Sequence, residues 1–164
     1  MTTLAIDPGP EVSGWAILRD GRPVAAGLSG TPMLLDRVRC RFWGPLGLLA
    51  VERIRGGGPR SGRAMFDTAW TGGELYEAGH GCADYRLAMT RSEVLKALGI
   101  KAGKGADSRV RTAMIERFGG PVERDARGSV KAPAWAKAAG LKSHAWQALG
   151  LAVAAECVHS ARRR

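Results

Sequence analysis

The sequence predicts a mixed α/β fold in which one β-sheet is flanked by helices. In the first fifty residues, short apolar runs alternate with turn signals, which is typical of β-strands. From residue 63 onward, apolar residues recur at the helical period, and one further strand-like run lies among them. Because 164 residues can bury one core, we expect a single domain over 1–164.

The first three strands are expected to form an antiparallel meander. An apolar run over 4–7 stops at Pro8-Gly9-Pro10, which is a strong turn signal. Runs over 14–18 and 23–27 follow. Asp20-Gly21, between those two runs, favours a hairpin turn with positive φ. These patterns place the three strands side by side at the start of the fold.

The rest of the chain alternates between helices and strands. We predict a helix over 32–39, a strand over 46–54, a helix over 63–78, a strand over 85–89, and helices over 108–118 and 143–162. The helix over 63–78 is inferred from apolar residues spaced as one face, namely Met65, Phe66, Ala69, Trp70 and Leu75. Residues 56–62 predict a flexible basic loop, and 162–164 a basic tail. Five strands in total predict a five-stranded mixed sheet.

Several helix boundaries carry their own signals. Thr90 and Glu93 resemble a capping box, in which the glutamate side chain reaches back to the first residue. Gly119-Gly120 closes the helix over 108–118, as C-terminal glycines do. Ser143 is the expected N-cap of the last helix.

The composition restricts the function classes. The 25 basic and 15 acidic residues leave a net charge of +10, which favours a polyanionic partner, and nucleic acid above all. The three scattered cysteines suit neither a zinc site nor a disulfide framework. No run is long enough to span a membrane, and the N-terminus lacks the features of a signal peptide. We therefore expect a cytoplasmic protein with no membrane partner.

Asp7 and Glu52 are the first candidates for chemistry. Asp7 ends an apolar strand, although Asp-Pro-Gly is also an ordinary turn opener. Glu52 lies inside a strand expected to be buried, where an ionised carboxylate is costly unless a cation compensates it. A salt bridge to Arg53 or Arg55, or an edge strand that leaves Glu52 in water, would also explain its position. Two carboxylates on neighbouring strands of a basic protein favour a metal-dependent site.

His144, at the start of the last helix, is the third candidate. A lone histidine there is usually a surface or capping residue. Near two carboxylates, it could supply a neutral nitrogen ligand to a divalent metal. Hydrolysis of a phosphodiester places negative charge on the attacking and leaving oxygens, and two bound cations can neutralise that charge. Converging oxygen ligands are what such cations need.

Two roles can be considered for four aromatic residues in the last two-thirds of the chain, Trp70, Tyr85, Trp135 and Trp146. They could stack on unpaired bases. We predict core packing instead, because large aromatic side chains are usually buried. Trp135, which lies in a predicted basic loop, is the exception.

Four motifs, in order, resemble one family. Residues 4–9 with 13–16 look like the opening strand, turn and strand of RuvC-type Holliday junction resolvases, and 50–52 looks like their second acidic strand. Residues 104–111 are similar to the basic stretch before a helix in the same family, and 143–152 to its closing helix. The likeness is closest to the short RuvC-like proteins of bacteriophages, in which the segment before that helix is also rich in lysine and proline.

The resemblance implies an RNase H-like fold, a homodimer and paired nicking of a four-way DNA junction with Mg²⁺ or Mn²⁺, two ions per site. It further implies that Asp7, Glu52 and His144 are metal ligands, and that Gln147 occupies the fourth catalytic position. The residues that would contact the DNA backbone are Lys101, Lys104, Arg109, Arg111 and Arg60. No small-molecule substrate is expected.

Gln147 departs from the family pattern, because resolvases commonly have an acid there. An amide offers a carbonyl oxygen but no charge, and Asp67, Glu74 or Asp107 could compensate. With His144 among the ligands, the site should favour manganese over magnesium. Two alternatives therefore stay open: a branched-DNA-binding protein with a weakened site, and a nuclease on the same fold that acts on RNA or RNA–DNA hybrid. Actin-like ATPases and sugar kinases need two such domains, which this chain is too short to contain.

Overall fold

The computed structural model describes residues 1–54 and 62–163. The predicted loop over 56–62, with Arg60, falls almost wholly outside the described residues, and so does Arg164. In chain order the described elements are β1 (Thr2–Asp7), β2 (Val12–Arg19), β3 (Arg22–Gly30), α1 (Thr31–Arg39), β4 (Leu46–Arg53), α2 (Arg63–Ala78), β5 (Ala83–Thr90), α3 (Arg91–Ala97), α4 (Ala106–Phe118), α5 (Ala134–Ala138) and α6 (Ala145–Arg162). Each predicted strand is present, and each predicted helix too.

The five strands form one mixed sheet in the order β3-β2-β1-β4-β5. The first three strands pair antiparallel, whereas β4 runs parallel to both β1 and β5. Asp20 (φ 50°) and Gly21 (φ 73°) form the tight turn between β2 and β3. The predicted fold class, an α/β fold with an antiparallel start, is confirmed.

The helices cover both faces of the sheet. On one face α6 packs across β1 and β2, with α3 and α4 beside it. Alternate strand residues point to that face, among them Ala5 and Ala50, whereas Leu4 and Ile6 point to the other face, toward α1 and α2. Helix α6 is apolar nearly all round, as a helix at the centre of a core should be. The core therefore fixes α6 firmly against β1.

Several local predictions were wrong. Ser143 is not an N-cap: it has φ 43°, and His144 occupies the cap position without a side-chain cap bond. The segment around Trp135 is not a loop but the short helix α5, where the Trp135 ring packs between Phe118 and Trp146. No pattern of helical length marked α5, because it spans little more than one turn.

The predicted burial of the aromatic side chains is only partly confirmed. Trp146 is buried as expected, but Trp70 is 73% exposed and Tyr85 is also exposed. Helix α2 turns its Thr68, Thr71 and Leu75 face inward, so Phe66 and Trp70 lie outside the core. Within the described ranges, no helix has the length and apolarity needed to cross a membrane.

Candidate active site

Asp7 and Glu52 lie side by side at one edge of the sheet. Ile6 pairs with Val51, so the next residue on each parallel strand is one of the two acids. Their side chains are only 16% and 14% exposed. Because β1 and β4 are parallel neighbours, their carboxyl ends bring these two carboxylates together, as the sequence predicts.

His144 joins the acids through a close approach of β2 to the start of α6. Gly14 is the partner of Asp7 in the sheet, and a Cβ atom at Gly14 would lie 2.6 Å from the carbonyl carbon of His144. The missing side chain lets the helix start directly over the strand. The His144 ring nitrogen Nδ1 lies 3.0 Å from the Asp7 oxygen Oδ2, while the imidazole remains 65% exposed.

Arg91 is a site residue that the sequence analysis missed. It is the first residue of α3 and follows Thr90, the N-cap whose capping box with Glu93 is present as predicted. One guanidinium nitrogen, Nη1, lies 3.8 Å from Glu52 Oε2. The other, Nη2, donates to both Asp107 Oδ1 and Gln147 Oε1. The salt bridge of Glu52 is therefore made with Arg91 rather than with its sequence neighbour Arg53, while the other expected partner, Arg55, lies outside the described residues.

A signal for Arg91 was present in the sequence. It follows the end of β5, which is parallel to β4, so it emerges at the same sheet edge as Glu52. Asp107, one of three acids considered as compensation for Gln147, lies in the first turn of α4 and reaches the site through Arg91. Among the described residues, no hydrogen bond or ion pair links Asp67 or Glu74 with the site, and Asp67 faces Arg63 instead.

Burial disfavours the charged form of both carboxylates. Burial, and then the negative charge of Asp7, raise the pKa of Glu52 to about 7, although Arg91 opposes this rise. Burial also raises the pKa of Asp7, while His144 acts in the opposite direction. Both pKa shifts come first from burial, and perturbed pKa values of this kind are common at functional sites.

The oxygen Glu52 Oε2 is buried and, within residues 1–54 and 62–163, has no hydrogen-bond partner. A buried charged oxygen without a donor is stabilised by a cation. In the described part of the chain, no three His, Cys, Asp or Glu side chains gather closely enough to hold a metal ion as they stand. Arg91 lies among the acidic groups instead. The donors themselves, carboxylate oxygens with one imidazole nitrogen, suit Mg²⁺ or Mn²⁺.

Comparisons with known proteins identify the architecture. No protein-family model matches the chain, and no curated protein sequence does. Among solved structures, RuvC of Thermus thermophilus in complex with a Holliday junction substrate matches with a TM-score of 0.67 and 18% identity, covering 98% of this chain and 96% of that one. A second T. thermophilus RuvC structure matches with a TM-score of 0.61 and 19% identity, covering 99% and 97%. The chain has the RuvC fold.

The predicted DNA-binding residues differ in their exposure and in their contacts within the protein. Lys101 and Lys104 are exposed in the segment before α4. The Arg109 guanidinium donates to the carbonyls of both lysines, at 2.7 and 2.9 Å, so it braces that segment. The Arg111 guanidinium lies 5.2 Å from the centroid of the Trp146 ring, above its face. Two of the four described candidates therefore already have partners within the protein.

A cavity of about 570 Å³ opens beside Glu52. Glu52, Arg91 and Asp107 line it, together with residues 102–103 of the segment that carries the two lysines. The RuvC fold thus places carboxylates, one arginine and a basic approach segment around one opening.

Proposed function

We propose that this protein is a metal-dependent, structure-selective DNA endonuclease, a crossover junction endodeoxyribonuclease that resolves Holliday junctions or other branched DNA by paired nicking. The observation that carries the proposal is the pair of buried carboxylates, Asp7 and Glu52, at the ends of adjacent strands of a RuvC fold. A net charge of +10 supports a nucleic acid substrate, and the comparison structure is a RuvC bound to a Holliday junction.

Asp7, Glu52 and His144 would hold Mg²⁺ or Mn²⁺, with Gln147 offering a neutral oxygen nearby. Such cations, when bound, lower the pKa of coordinated water and neutralise charge on the leaving oxygen. The protein itself positions these ligands. The rigid strand ends hold the two carboxylates side by side at one edge of the sheet, and the close approach at Gly14 fixes His144 beside Asp7. The burial that raises their pKa values makes both acids avid for a cation.

Lys101 and Lys104 are the proposed backbone contacts, because they are exposed beside the opening. Paired nicking requires two active sites, so we propose a homodimer that works on DNA in the cytoplasm. Helix α2 offers a surface for this association, since Phe66 and Trp70 are exposed one helical turn apart.

A binding protein with a weakened site is the second candidate. Gln147 favours it, because the amide adds no charge at a site where Arg91 already compensates Glu52 and Asp107. The intact pair of buried acids opposes it, since carboxylates facing a polyanion weaken binding unless they serve a metal.

An end-labelled four-way DNA junction, tested beside linear duplex and RNA–DNA hybrid, separates these functions. We expect symmetric nicks confined to the junction, a loss of at least about a hundredfold in Glu52→Gln, and full activity in Glu116→Gln, an exposed acid on α4. Asp7→Asn should bind the junction as well as the wild type and not cut it. Tight binding without cleavage in any metal would identify a binding protein, and cutting of the hybrid alone would identify a ribonuclease.

The same assay tests the metal. Because His144 offers an imidazole, we expect faster nicking in Mn²⁺ than in Mg²⁺. His144→Asp should reverse or reduce this preference. Equal or better activity of the wild type in Mg²⁺ would contradict a ligand role for the imidazole.

A further inference from the structure

Arg91 is a cation inside an acidic site. Its side chain is mostly buried, and it interacts with Glu52 on β4, Asp107 on α4 and Gln147 on α6. Three elements distant in sequence therefore meet on one guanidinium. If an arginine served only to connect these elements, we would expect all of its N–H groups to be hydrogen-bonded within the protein.

One half of the Arg91 guanidinium is unsatisfied. Nη1 is buried without a hydrogen-bond partner among the described residues, and so is Glu52 Oε2, which faces it. Their separation of 3.8 Å is an ion pair but too long for a hydrogen bond. Nη1 can therefore still donate a hydrogen bond, and Oε2 can still accept one. Both residues line the cavity beside Glu52.

Other arginines nearby are less suited to bind a substrate phosphate at the site. Arg109 is engaged by backbone carbonyls, and Arg111 lies over Trp146. Arg53 points toward Glu93, with 4.0 Å between Nη2 and Oε2. Arg91, by contrast, stands on a rigid base, because the capping box of Thr90 fixes the start of α3.

We propose that Arg91 exchanges partners during the reaction: it compensates the acids in the free protein and binds a non-bridging oxygen of the scissile phosphate once cations occupy the acids. This rests on the proposed function. Divalent cations and the guanidinium compete for Glu52 Oε2, so loading the site frees Nη1. A phosphate oxygen can then accept a hydrogen bond from Nη1, while Nη2 stays bonded to Asp107 and Gln147. Arg91 contributes only positive charge and a hydrogen bond: it transfers no proton and forms no covalent bond.

The proposal predicts effects of opposite sign on two measurements. In Arg91→Met, Mn²⁺ should bind the DNA-free protein about threefold to tenfold more tightly, because the competing charge is gone. Cleavage of the four-way junction under single-turnover conditions in saturating Mn²⁺ should nevertheless slow about a hundredfold. Arg91→Lys should recover part of that rate. Arg22→Met, which removes one charge at the β2–β3 turn at the far end of the sheet, is the control and should change neither quantity.

Two outcomes would overturn the proposal. Weaker Mn²⁺ binding in Arg91→Met, together with a lower melting temperature, would mean that Arg91 only holds the elements in place. Tighter Mn²⁺ binding with unchanged or faster cleavage would mean that Arg91 only blocks the site and never contacts the phosphate.

A wild type that cuts no junction would refute the proposed function and not this inference. Titration calorimetry with Mn²⁺ then still tests the competition. Fluorescence anisotropy of a labelled junction in Mn²⁺ tests the phosphate contact, since Arg91→Met should weaken binding beyond the loss seen in Arg22→Met. Equal losses in the two variants would reject the contact.

Discussion

Glu52 illustrates how a functional residue costs stability. Its carboxylate is buried beside another carboxylate, and the nearest guanidinium stays beyond hydrogen-bonding distance. Such a group is held in an unfavourable state by the surrounding core. The same residue should therefore reveal itself in the pH dependence of folding.

We predict that Glu52→Gln stabilises the metal-free protein at pH 8 and not at pH 4. The pKa of Glu52 rises from 4.5 to about 7 on folding, so the folded state binds the proton more tightly than the unfolded state does. Stability is therefore lost as pH rises from about 4.5 through about 7. Removing the charge should recover at most about 3 kcal/mol above pH 7.

Urea unfolding in EDTA at both pH values measures this effect. Glu116→Gln, which replaces an exposed acid on α4, serves as the control and should leave the pH profile unchanged. A Glu52→Gln variant that is less stable than the wild type at pH 8 would show that the Arg91 ion pair outweighs the burial of the charge.

At the scale of elements, the contact of β2 with the start of α6 decides the geometry of the site. Gly14 leaves room for the backbone of His144, and the strand register places Asp7 next to Gly14. A side chain at this position would push the helix start away from the sheet. His144 would then move away from Asp7.

Gly14→Ala should destabilise the protein by about 1–3 kcal/mol, because a well-packed contact has no space for a methyl group. The matched control is Gly73→Ala on α2, where an added Cβ meets nothing within 4 Å. That change should stabilise the protein by about 0.5–1 kcal/mol, as alanine does in helices. Thermal unfolding of both variants, with Mn²⁺ titration, measures the effect. A neutral Gly14→Ala would mean that α6 shifts without cost.

At the scale of the whole molecule, the two most exposed aromatic side chains of the described residues lie together on α2, on the face of the sheet opposite α6. Phe66 is 66% exposed and Trp70 is 73% exposed on α2. Large apolar groups that the fold leaves outside are typical of association surfaces. This surface is consistent with the proposed homodimer.

Sedimentation equilibrium tests the homodimer. We expect the wild type to be dimeric, and Trp70→Asp combined with Phe66→Asp to weaken the dimer by about a hundredfold or more, since a buried charge is costly in an apolar interface. Val24→Asp, an exposed apolar position on β3, should leave association unchanged. A monomeric wild type, or loss of the dimer in Val24→Asp, would exclude this surface.

The order of elements follows from local patterns, because turns, caps and apolar periods act between residues close in sequence. Asp7 and Glu52 follow in the same way, since each ends an apolar strand run. The meeting of Arg91 with Asp107 and Gln147 does not, because these residues lie 16 and 56 positions apart and only helix packing brings them together. Likewise, the direction that Trp70 faces and the partners of Arg109 and Arg111 depend on which side of each helix the sheet covers. Local chemistry specifies the elements, whereas burial, which is a property of the packed chain, decides which charged side chains share a site.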